Sequence, residues 1–196
     1  MKTTGNTILM TGGGSGIGRE LARELHALGN TVIVAGRTSA SLNETIKDRD
    51  GMHARTLDVS DPEDIVRFAA ELVKDFPALN TLFNNAGVMA KEDWLSDPVD
   101  LAITESTIMT NVLGPIRLTA ALLPHLRARP VARVVNVTSG LAYVPLAHTP
   151  AYSASKAAMH AWTQSLRYLL KDTNVELIEL APPGVQTGLT PGQSTR

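Results

Sequence analysis

The feature that most constrains this chain is a glycine-rich turn near its start. An apolar run, Asn6–Met10, leads into the turn Thr11–Gly18, and the helical pattern Arg19–Leu28 follows at once. A strand, a glycine turn and a helix in this order open a dinucleotide-binding unit. One glycine permits the turn, a second lets the backbone approach a pyrophosphate, and a third lets the helix pack closely on the strand, and these are Gly12, Gly16 and Gly18. The cofactor-binding residues predicted here are Gly12, Gly14, Ser15, Gly16, Ile17 and Gly18.

Apolar strand-like runs and helical stretches alternate along the rest of the chain. After the first strand, further strands are predicted at Thr31–Ala35, Ala54–Val59, Thr81–Phe83, Arg133–Thr138 and Val175–Leu180. Helices are predicted near Gly16–Leu28, Ser41–Arg49, Pro62–Phe76, Glu105–Arg127 and Tyr152–Lys171. This alternation predicts an α/β fold, a Rossmann-type doubly wound parallel sheet in three α/β/α layers, with residues 1–196 as one domain. The ligand crevice should lie at the carboxyl ends of the strands.

Composition excludes several classes of function. The chain has 196 residues, 43% of them hydrophobic, with a formal net charge of −1 and no cysteine. Near-neutral charge without a basic run argues against a nucleic-acid partner, and no stretch reaches the roughly 20 apolar residues that cross a bilayer. The absence of cysteine excludes disulfides and thiolate chemistry, and the five histidines form no metal-ligand pattern. Because the first strand begins at once, we expect no signal peptide and a cytoplasmic location.

Tyr152 and Lys156 are four residues apart in a predicted helix, so their side chains share one face. A free tyrosine has a pKa of about 10, and proton transfer near neutrality needs a shift of roughly 3 units, about 4 kcal/mol. A nearby ammonium group supplies a shift in that direction. On an isolated helix this spacing usually reflects packing alone, so the interpretation depends on the other motifs.

Taken together, the motifs resemble those of the short-chain dehydrogenase/reductase family. The glycine turn resembles the family's cofactor loop, Asp58-Val59 its adenine-contacting pair, and Asn84-Asn85-Ala86-Gly87 its NNAG signature. The resemblance implies a catalytic tetrad of Asn111, Ser139, Tyr152 and Lys156, with the last two also contacting cofactor. It further implies that Asn85, Ala86 and Gly87 lie against the cofactor. From the residues alone, Asp58 also fits a helix cap, and Asn84 also fits a bond between strands.

Arg37 follows the second strand, where folds that prefer NAD usually place an acidic residue on the ribose hydroxyls. A guanidinium pairs with a 2′-phosphate, and Thr38 or Ser39 offers further hydrogen bonds. We therefore expect NADP(H) to be preferred over NAD(H).

The segment Pro182–Thr187 resembles the family's PGxVxT segment, which contacts the nicotinamide carboxamide. The resemblance assigns cofactor contacts to Pro182, Gly184, Val185 and Thr187, although Pro183 occupies the usual glycine position. This variant is similar to that of the DltE-like branch of the family.

The resemblance implies an oxidoreductase that transfers hydride between NADP(H) and a small carbonyl or secondary alcohol, with Tyr152 as the general acid/base. Two alternatives stay open: an epimerase or dehydratase of the same family, and a regulatory protein that senses NADP without turnover. Family members commonly pair two long helices, so a homodimer or homotetramer is expected, and Leu118, Leu122, Trp162, Leu166 and Leu169 suggest extra apolar faces. Relatives continue beyond the PGxVxT segment, so we expect a further strand and a substrate lid after Arg196.

Overall fold

A computed structural model describes residues 3–183 of the protein. Its strands are β1 (Thr7–Thr11), β2 (Thr31–Gly36), β3 (Met52–Thr56), β4 (Leu79–Asn84), β5 (Ala132–Val137) and β6 (Val175–Leu180). Its helices are α1 (Gly16–Ala27), α2 (Ser39–Ile46), α3 (Pro62–Asp75), α4 (Ala102–Ile108), α5 (Gly114–Arg127) and α6 (Pro150–Leu169). Within the described residues the strands form one parallel sheet in the order β3-β2-β1-β4-β5-β6. This order confirms the predicted Rossmann-type fold.

Both faces of the sheet are covered because successive strand side chains point to opposite sides. In β1, Leu9 joins the core cluster shared with α3 and α5, whereas its neighbours Ile8 and Met10 join the cluster shared with α1 and α2. In β5, Val134 and Val135 divide between the same two clusters. Strands buried on both faces read as continuous apolar runs, which is why the sequence located them.

The predicted helix Glu105–Arg127 is interrupted in the structure. Helix α4 begins earlier, at Ala102, and a π-helical turn at Met109–Leu113 separates it from α5. The backbone N–H of Gly114 bonds to the carbonyl of Met109, five residues back. A Cβ on Gly114 would lie 2.5 Å from the Val59 carbonyl oxygen, so α5 needs glycine where it crosses that backbone.

Other predicted boundaries were wrong by a few residues. β3 occupies Met52–Thr56 instead of Ala54–Val59, because the chain leaves the edge of the sheet after Leu57 N bonds Gly36 O at 3.0 Å. α2 ends at Ile46, and Asp48 soon afterwards has the left-handed φ of 57°. Propensity alone does not locate such ends.

A buried line of polar side chains runs from α5 across one face of the sheet to α6. Asn84 Nδ2 donates to Thr119 Oγ1 at 3.0 Å and to Asn136 Oδ1 at 2.8 Å. Asn136 Nδ2 then donates to Thr163 Oγ1 on α6 at 2.8 Å. The interpretation of Asn84 as a bond between strands is therefore correct, and the same line fixes α6 against β5.

Strand β6 pairs with β5 on one side, and no second partner for it lies within residues 3–183. The expected further strand and lid remain predictions. In the same range, none of the helices has the length and apolar character needed to span a membrane.

Candidate active site

A cleft of about 190 Å³ opens at the carboxyl ends of β1, β2 and β4. The predicted cofactor residues that line it are Gly12, Gly14, Ser15, Arg37, Asp58, Val59, Ala86 and Gly87. The other predicted cofactor residues within the described part of the chain do not line it, and these are Gly16, Ile17, Gly18, Asn85, Tyr152, Lys156 and Pro182. The cleft therefore gathers residues from four separate motifs of the sequence.

The glycines of the turn are required by close contacts. Gly12 has a φ of +66°, and a Cβ there would lie 2.8 Å from Ala86 Cα. A Cβ on Gly14 would lie 2.6 Å from Ser41 Oγ in α2. At Gly18 the clash would be with Asn85 Nδ2 at 2.3 Å and with the Gly12 carbonyl oxygen at 2.4 Å. The close approach at Gly18 therefore involves the turn and the NNAG segment, where the sequence argument expected the strand.

Helix α1 begins directly at the cleft. Its N-cap, Ser15, has an extended backbone and makes no side-chain capping bond, and the first turn carries no acidic residue. The Arg19 guanidinium closes the turn behind the cleft by donating from Nε to Gly14 O at 3.0 Å. Because an uncapped helix N-terminus offers N–H groups to anionic oxygen, these residues fit the pyrophosphate of a dinucleotide.

Thr11 joins the glycine turn to the NNAG segment. Its hydroxyl donates to Phe83 O at 3.1 Å and accepts the N–H groups of Asn85 at 3.0 Å and Ala86 at 3.1 Å. Asn85 Nδ2 returns a bond to Thr11 O at 2.9 Å. Asn85 therefore supports the cleft from behind, whereas the family resemblance placed it against the cofactor.

Arg37 is exposed at the rim of the cleft, beside Thr38 and Ser41. Within residues 3–183 its guanidinium has neither a hydrogen bond nor an ion pair. Ser39, the other hydroxyl suggested by the sequence, does not line the described cleft, whereas Ser41 does. The cleft thus has a cationic rim at the end of β2.

Asp58 faces Arg37 across the cleft. Burial acts to raise the pKa of its carboxyl, but hydrogen bonds from Ser60 and the charge of Arg37 outweigh it, so the pKa is lowered. Asp58 Oδ1 accepts from Ser60 N at 2.9 Å and from Ser60 Oγ at 2.6 Å. The cap of α3 is Asp61, which accepts from Glu63 N and Asp64 N. The capping alternative for Asp58 is therefore wrong, and its place in the cleft fits the adenine end of a dinucleotide.

Tyr152 and Lys156 are both buried, with exposed fractions of 7% and 5%. Lys156 Nζ lies 5.5 Å from the centre of the Tyr152 ring and donates to Val137 O at 2.9 Å. Burial lowers the pKa of Lys156 to about 8. Burial also raises the pKa of Tyr152, and a side-chain hydrogen bond with Ser139 opposes that rise. The sequence argument required Lys156 to lower the pKa of Tyr152. In this structure the pKa of Tyr152 is raised instead.

Asn111 lies at the centre of the π-helical turn and is 2% exposed. Its Oδ1 accepts from Val88 N at 2.8 Å, and its Nδ2 donates to Val88 O at 2.9 Å and to Ser155 Oγ at 3.1 Å. Ser155 Oγ donates in turn to Tyr152 O at 2.7 Å. The structure thus connects Asn111 to the backbone of Tyr152, and the proton relay through water remains a prediction.

Ser139 follows β5 and begins the short 3-10 turn Gly140–Ala142. Its Oγ accepts from Leu141 N at 3.1 Å, which fixes the hydroxyl beside Tyr152. Of the last predicted cofactor segment, Pro182 is described and half-buried, and it does not line the cleft. Gly184, Val185 and Thr187 lie outside the described residues.

Three supporting residues were not assigned by the sequence argument: Thr11, Ser155 and Glu92. Glu92 accepts from Ala151 N at 2.8 Å, in the first turn of α6. Ser155 lies inside the Tyr152–Lys156 motif, so its position next to the pair was a usable signal. Glu92 gave no signal, because its partner is 59 residues away.

The fold and site define a dinucleotide-binding domain with a buried tyrosine–lysine pair. The sequence profile of the short chain dehydrogenase family matches residues 6–196. This chain belongs to the short-chain dehydrogenase/reductase family and is an oxidoreductase of that family. Uncharacterized oxidoreductase DltE of Bacillus subtilis is 44% identical over 189 residues, which cover 96% of this chain and 75% of that protein. Four other curated relatives are longer, and the chain spans 58% to 61% of their lengths.

The solved structures that resemble this chain include one complex with NAD and another with NADPH. A family member from Burkholderia phymatum in complex with NAD superposes with a TM-score of 0.89 at 25% identity, covering 100% of this chain and 76% of that one. A variant of actinorhodin polyketide ketoreductase with NADPH gives a TM-score of 0.87 at 29% identity, covering 94% and 72%. The likeness therefore supports an NAD(P)-binding site without selecting between the two cofactors.

Proposed function

We propose that the protein is an NADP(H)-dependent oxidoreductase that interconverts a small carbonyl compound and a secondary alcohol. The observation that carries this proposal is the convergence of Ser139, Tyr152, Lys156 and Asn111 beside the nucleotide cleft. Gly87 lines the cleft and also lies next to these four residues. A Cβ built on it would lie 3.3 Å from Asn111 Oδ1 and 3.7 Å from Lys156 Nζ. A cleft wall without a side chain at Gly87 leaves room for a cofactor next to the lysine.

The residues of the cleft, together with Lys156 beside it, would hold the dinucleotide from both ends. The N-terminus of α1 would receive the pyrophosphate, Asp58 the adenine and Lys156 the nicotinamide ribose. The bound nicotinamide supplies hydride transfer, which no protein side chain provides. The protein would contribute orientation and proton transfer.

Tyr152 is the proposed general acid in the reductive direction. Its raised pKa keeps the phenol protonated near neutrality, as a proton donor to a carbonyl oxygen must be. The Lys156 ammonium, with its pKa of about 8, would stabilise the phenolate that remains. Ser139 would orient the same substrate oxygen. In the oxidative direction the phenolate would take the proton from the alcohol.

The preference for NADP(H) is supported by Arg37. Its guanidinium is exposed at the cleft and makes no hydrogen bond or ion pair within the described part of the chain, so it can pair with a 2′-phosphate at little cost. One charged contact of about 1.5–3 kcal/mol implies a preference on the order of 10- to 100-fold. Titration with NADP(H) and NAD(H) should show that preference, and Arg37→Asp should reverse it. Equal affinities in the unmodified protein would contradict the preference while leaving the reaction class untouched.

The decisive test of the reaction is the reduced-nicotinamide absorbance with a panel of carbonyls and alcohols. Tyr152→Phe should fold, bind cofactor and lose turnover by about 10²- to 10⁴-fold, because only the proton donor is removed. Tyr168→Phe, at an exposed tyrosine of the same helix, is the matched control. Near-normal turnover by Tyr152→Phe would refute the assigned mechanism.

A homodimer or homotetramer in the cytoplasm is part of the same proposal. Leu118 and Leu122 are buried in the protomer's own core, so they do not support a contact between subunits. Tyr168 and Leu169 at the end of α6 are 70% and 74% exposed. Exposed apolar residues on one helix end fit a contact between subunits. Light scattering at micromolar concentration tests this, and a monomer would contradict it.

A further inference from the structure

A second polar cluster lies beside the tetrad, outside the nucleotide cleft. It joins Glu179 of β6, His160 of α6, Tyr143 after the 3-10 turn, and Thr138 at the end of β5. The Glu179 side chain is 13% exposed. His160 Nδ1 lies 3.0 Å from Glu179 Oε1 and 2.9 Å from Oε2, and the Tyr143 hydroxyl lies 2.9 Å from the same nitrogen.

The carboxylate of Glu179 holds both ends of the segment that carries Ser139. On one side, Thr138 Oγ1 donates to Glu179 Oε1 at 2.7 Å. On the other, the Tyr143 hydroxyl donates to the same oxygen at 3.3 Å. Ser139 lies between these two residues, so movement of the carboxylate would move the turn that orients its hydroxyl.

His160 connects the same carboxylate to the helix of the tyrosine–lysine pair. It follows Lys156 by four residues and Tyr152 by eight, which places all three along one side of α6. Gln164, one turn further, has its Nε2 3.0 Å from His160 Nε2. Glu179 is therefore bonded to the segment of Ser139 and to the helix of Tyr152 at once.

The pattern of β6 argues against a merely space-filling role. Val175 and Leu177 precede Glu179 on the same face of the strand, and both are buried in the core. The face changes from apolar to carboxylate only at the strand end nearest Ser139. Because a buried charge is costly unless it is hydrogen bonded, an apolar residue would serve packing alone at lower cost.

We propose that Glu179 is a positioning residue that holds the Ser139 hydroxyl against Tyr152, with His160 fixing the carboxylate to α6. The effect of Glu179 on turnover rests on the proposed function. The spatial claim, that Ser139 stays beside Tyr152 because Glu179 holds its segment, stands without knowledge of the substrate.

Crystal structures of Glu179→Ala and Glu179→Gln provide the test that needs no turnover. In Glu179→Ala, the Ser139 Oγ should move beyond hydrogen-bond distance of the Tyr152 hydroxyl. Glu179→Gln should retain the contact, because the amide oxygen still accepts from Thr138 and Tyr143 and the amide nitrogen can face His160. Glu176→Ala removes a more exposed carboxylate from the same strand and should leave Ser139 in place. An undisplaced Ser139 in Glu179→Ala would overturn the proposal.

The kinetic test uses any substrate that the panel identifies. Glu179→Ala should lower kcat about fivefold to tenfold, the effect of one hydrogen bond, with cofactor affinity unchanged. In a Ser139→Ala background the same substitution should have no further effect, whereas an independent structural defect would add to it. Additive losses would therefore overturn the proposal. A protein with no turnover on the panel would count against the proposed function, and the crystal structures would still decide the role of Glu179.

Discussion

Burial of Lys156 should leave a measurable mark on the pH dependence of stability. The pKa of its ammonium group falls from the usual 10.5 to about 8 in the folded protein. Below pH 8 the group is protonated in both the folded and the unfolded chain, and the folded state bears the full cost of burying it. Between pH 8 and 10.5 only the unfolded chain holds the proton, so the free energy of unfolding rises with pH.

The magnitude follows from the size of the pKa change. A difference of about 2.5 in pKa corresponds to roughly 3 kcal/mol, most of which should be recovered by pH 10. Lys156→Met removes the ammonium group and therefore this pH-dependent term. The variant also loses the bond to Val137 O, at a cost of about 1–3 kcal/mol, but that loss does not vary with pH.

The assay is urea unfolding of the unmodified protein and of Lys156→Met at several pH values between 7 and 10. The unmodified protein should gain roughly 2–3 kcal/mol relative to the variant over this range. Lys74→Met, which removes an exposed lysine from α3, should show no comparable change. A stability difference between the protein and Lys156→Met that is the same at pH 7 and pH 10 would refute the reasoning.

Two further substitutions test the parts of the fold that support the site. Gly18→Ala should abolish measurable cofactor binding and lower Tm, because the new Cβ would lie 2.3 Å from Asn85 Nδ2 and 2.4 Å from Gly12 O. A normal cofactor titration of this variant would contradict the close packing. Glu92→Ala should lower the free energy of unfolding by about 1 kcal/mol, because Ala151 N loses its acceptor. Glu92→Gln keeps an acceptor oxygen and should cost much less. Equal losses for the two variants in urea unfolding would indicate a charge effect instead.

The glycine turn and the parallel sheet were predictable because their signals are local. The glycine spacing is recognisable within one short stretch of sequence, although Gly12 and Gly14 pack against Ala86 and Ser41 from elsewhere in the chain, and apolar runs buried on both faces identify the strands. The π-helical turn was not predictable from propensity. It coincides with two contacts from outside the helix, the Val88 backbone on Asn111 and the Val59 carbonyl against Gly114.

The pKa of Tyr152 shows a similar limit. The spacing of Tyr152 and Lys156 predicted that the lysine would lower the pKa of the phenol. The structure buries both side chains, and desolvation disfavours the charged form of each, so the pKa of the lysine falls to about 8 while the pKa of the tyrosine rises, and the two move apart. A sequence gives the spacing of a pair, but burial depends on every element packed around it.

Helix α6 is held in position by hydrogen bonds to several different segments around it. Each bond begins on a segment adjacent to another part of the site, so the helix cannot shift without disturbing those parts. The groups that α6 contacts in this way are Glu92 at its first turn, Asn111 through Ser155, Val137 through Lys156, Asn136 through Thr163, and Glu179 through His160. Apolar packing would hold a helix of this size at lower desolvation cost, but it specifies position less sharply than directional hydrogen bonds do. Proton transfer demands donor and acceptor within about 3 Å, and a helix bonded at intervals along its length can meet that demand. Under the proposed mechanism, the need to keep Tyr152 in place relative to Ser139 and the cleft accounts for the cost of burying these polar groups.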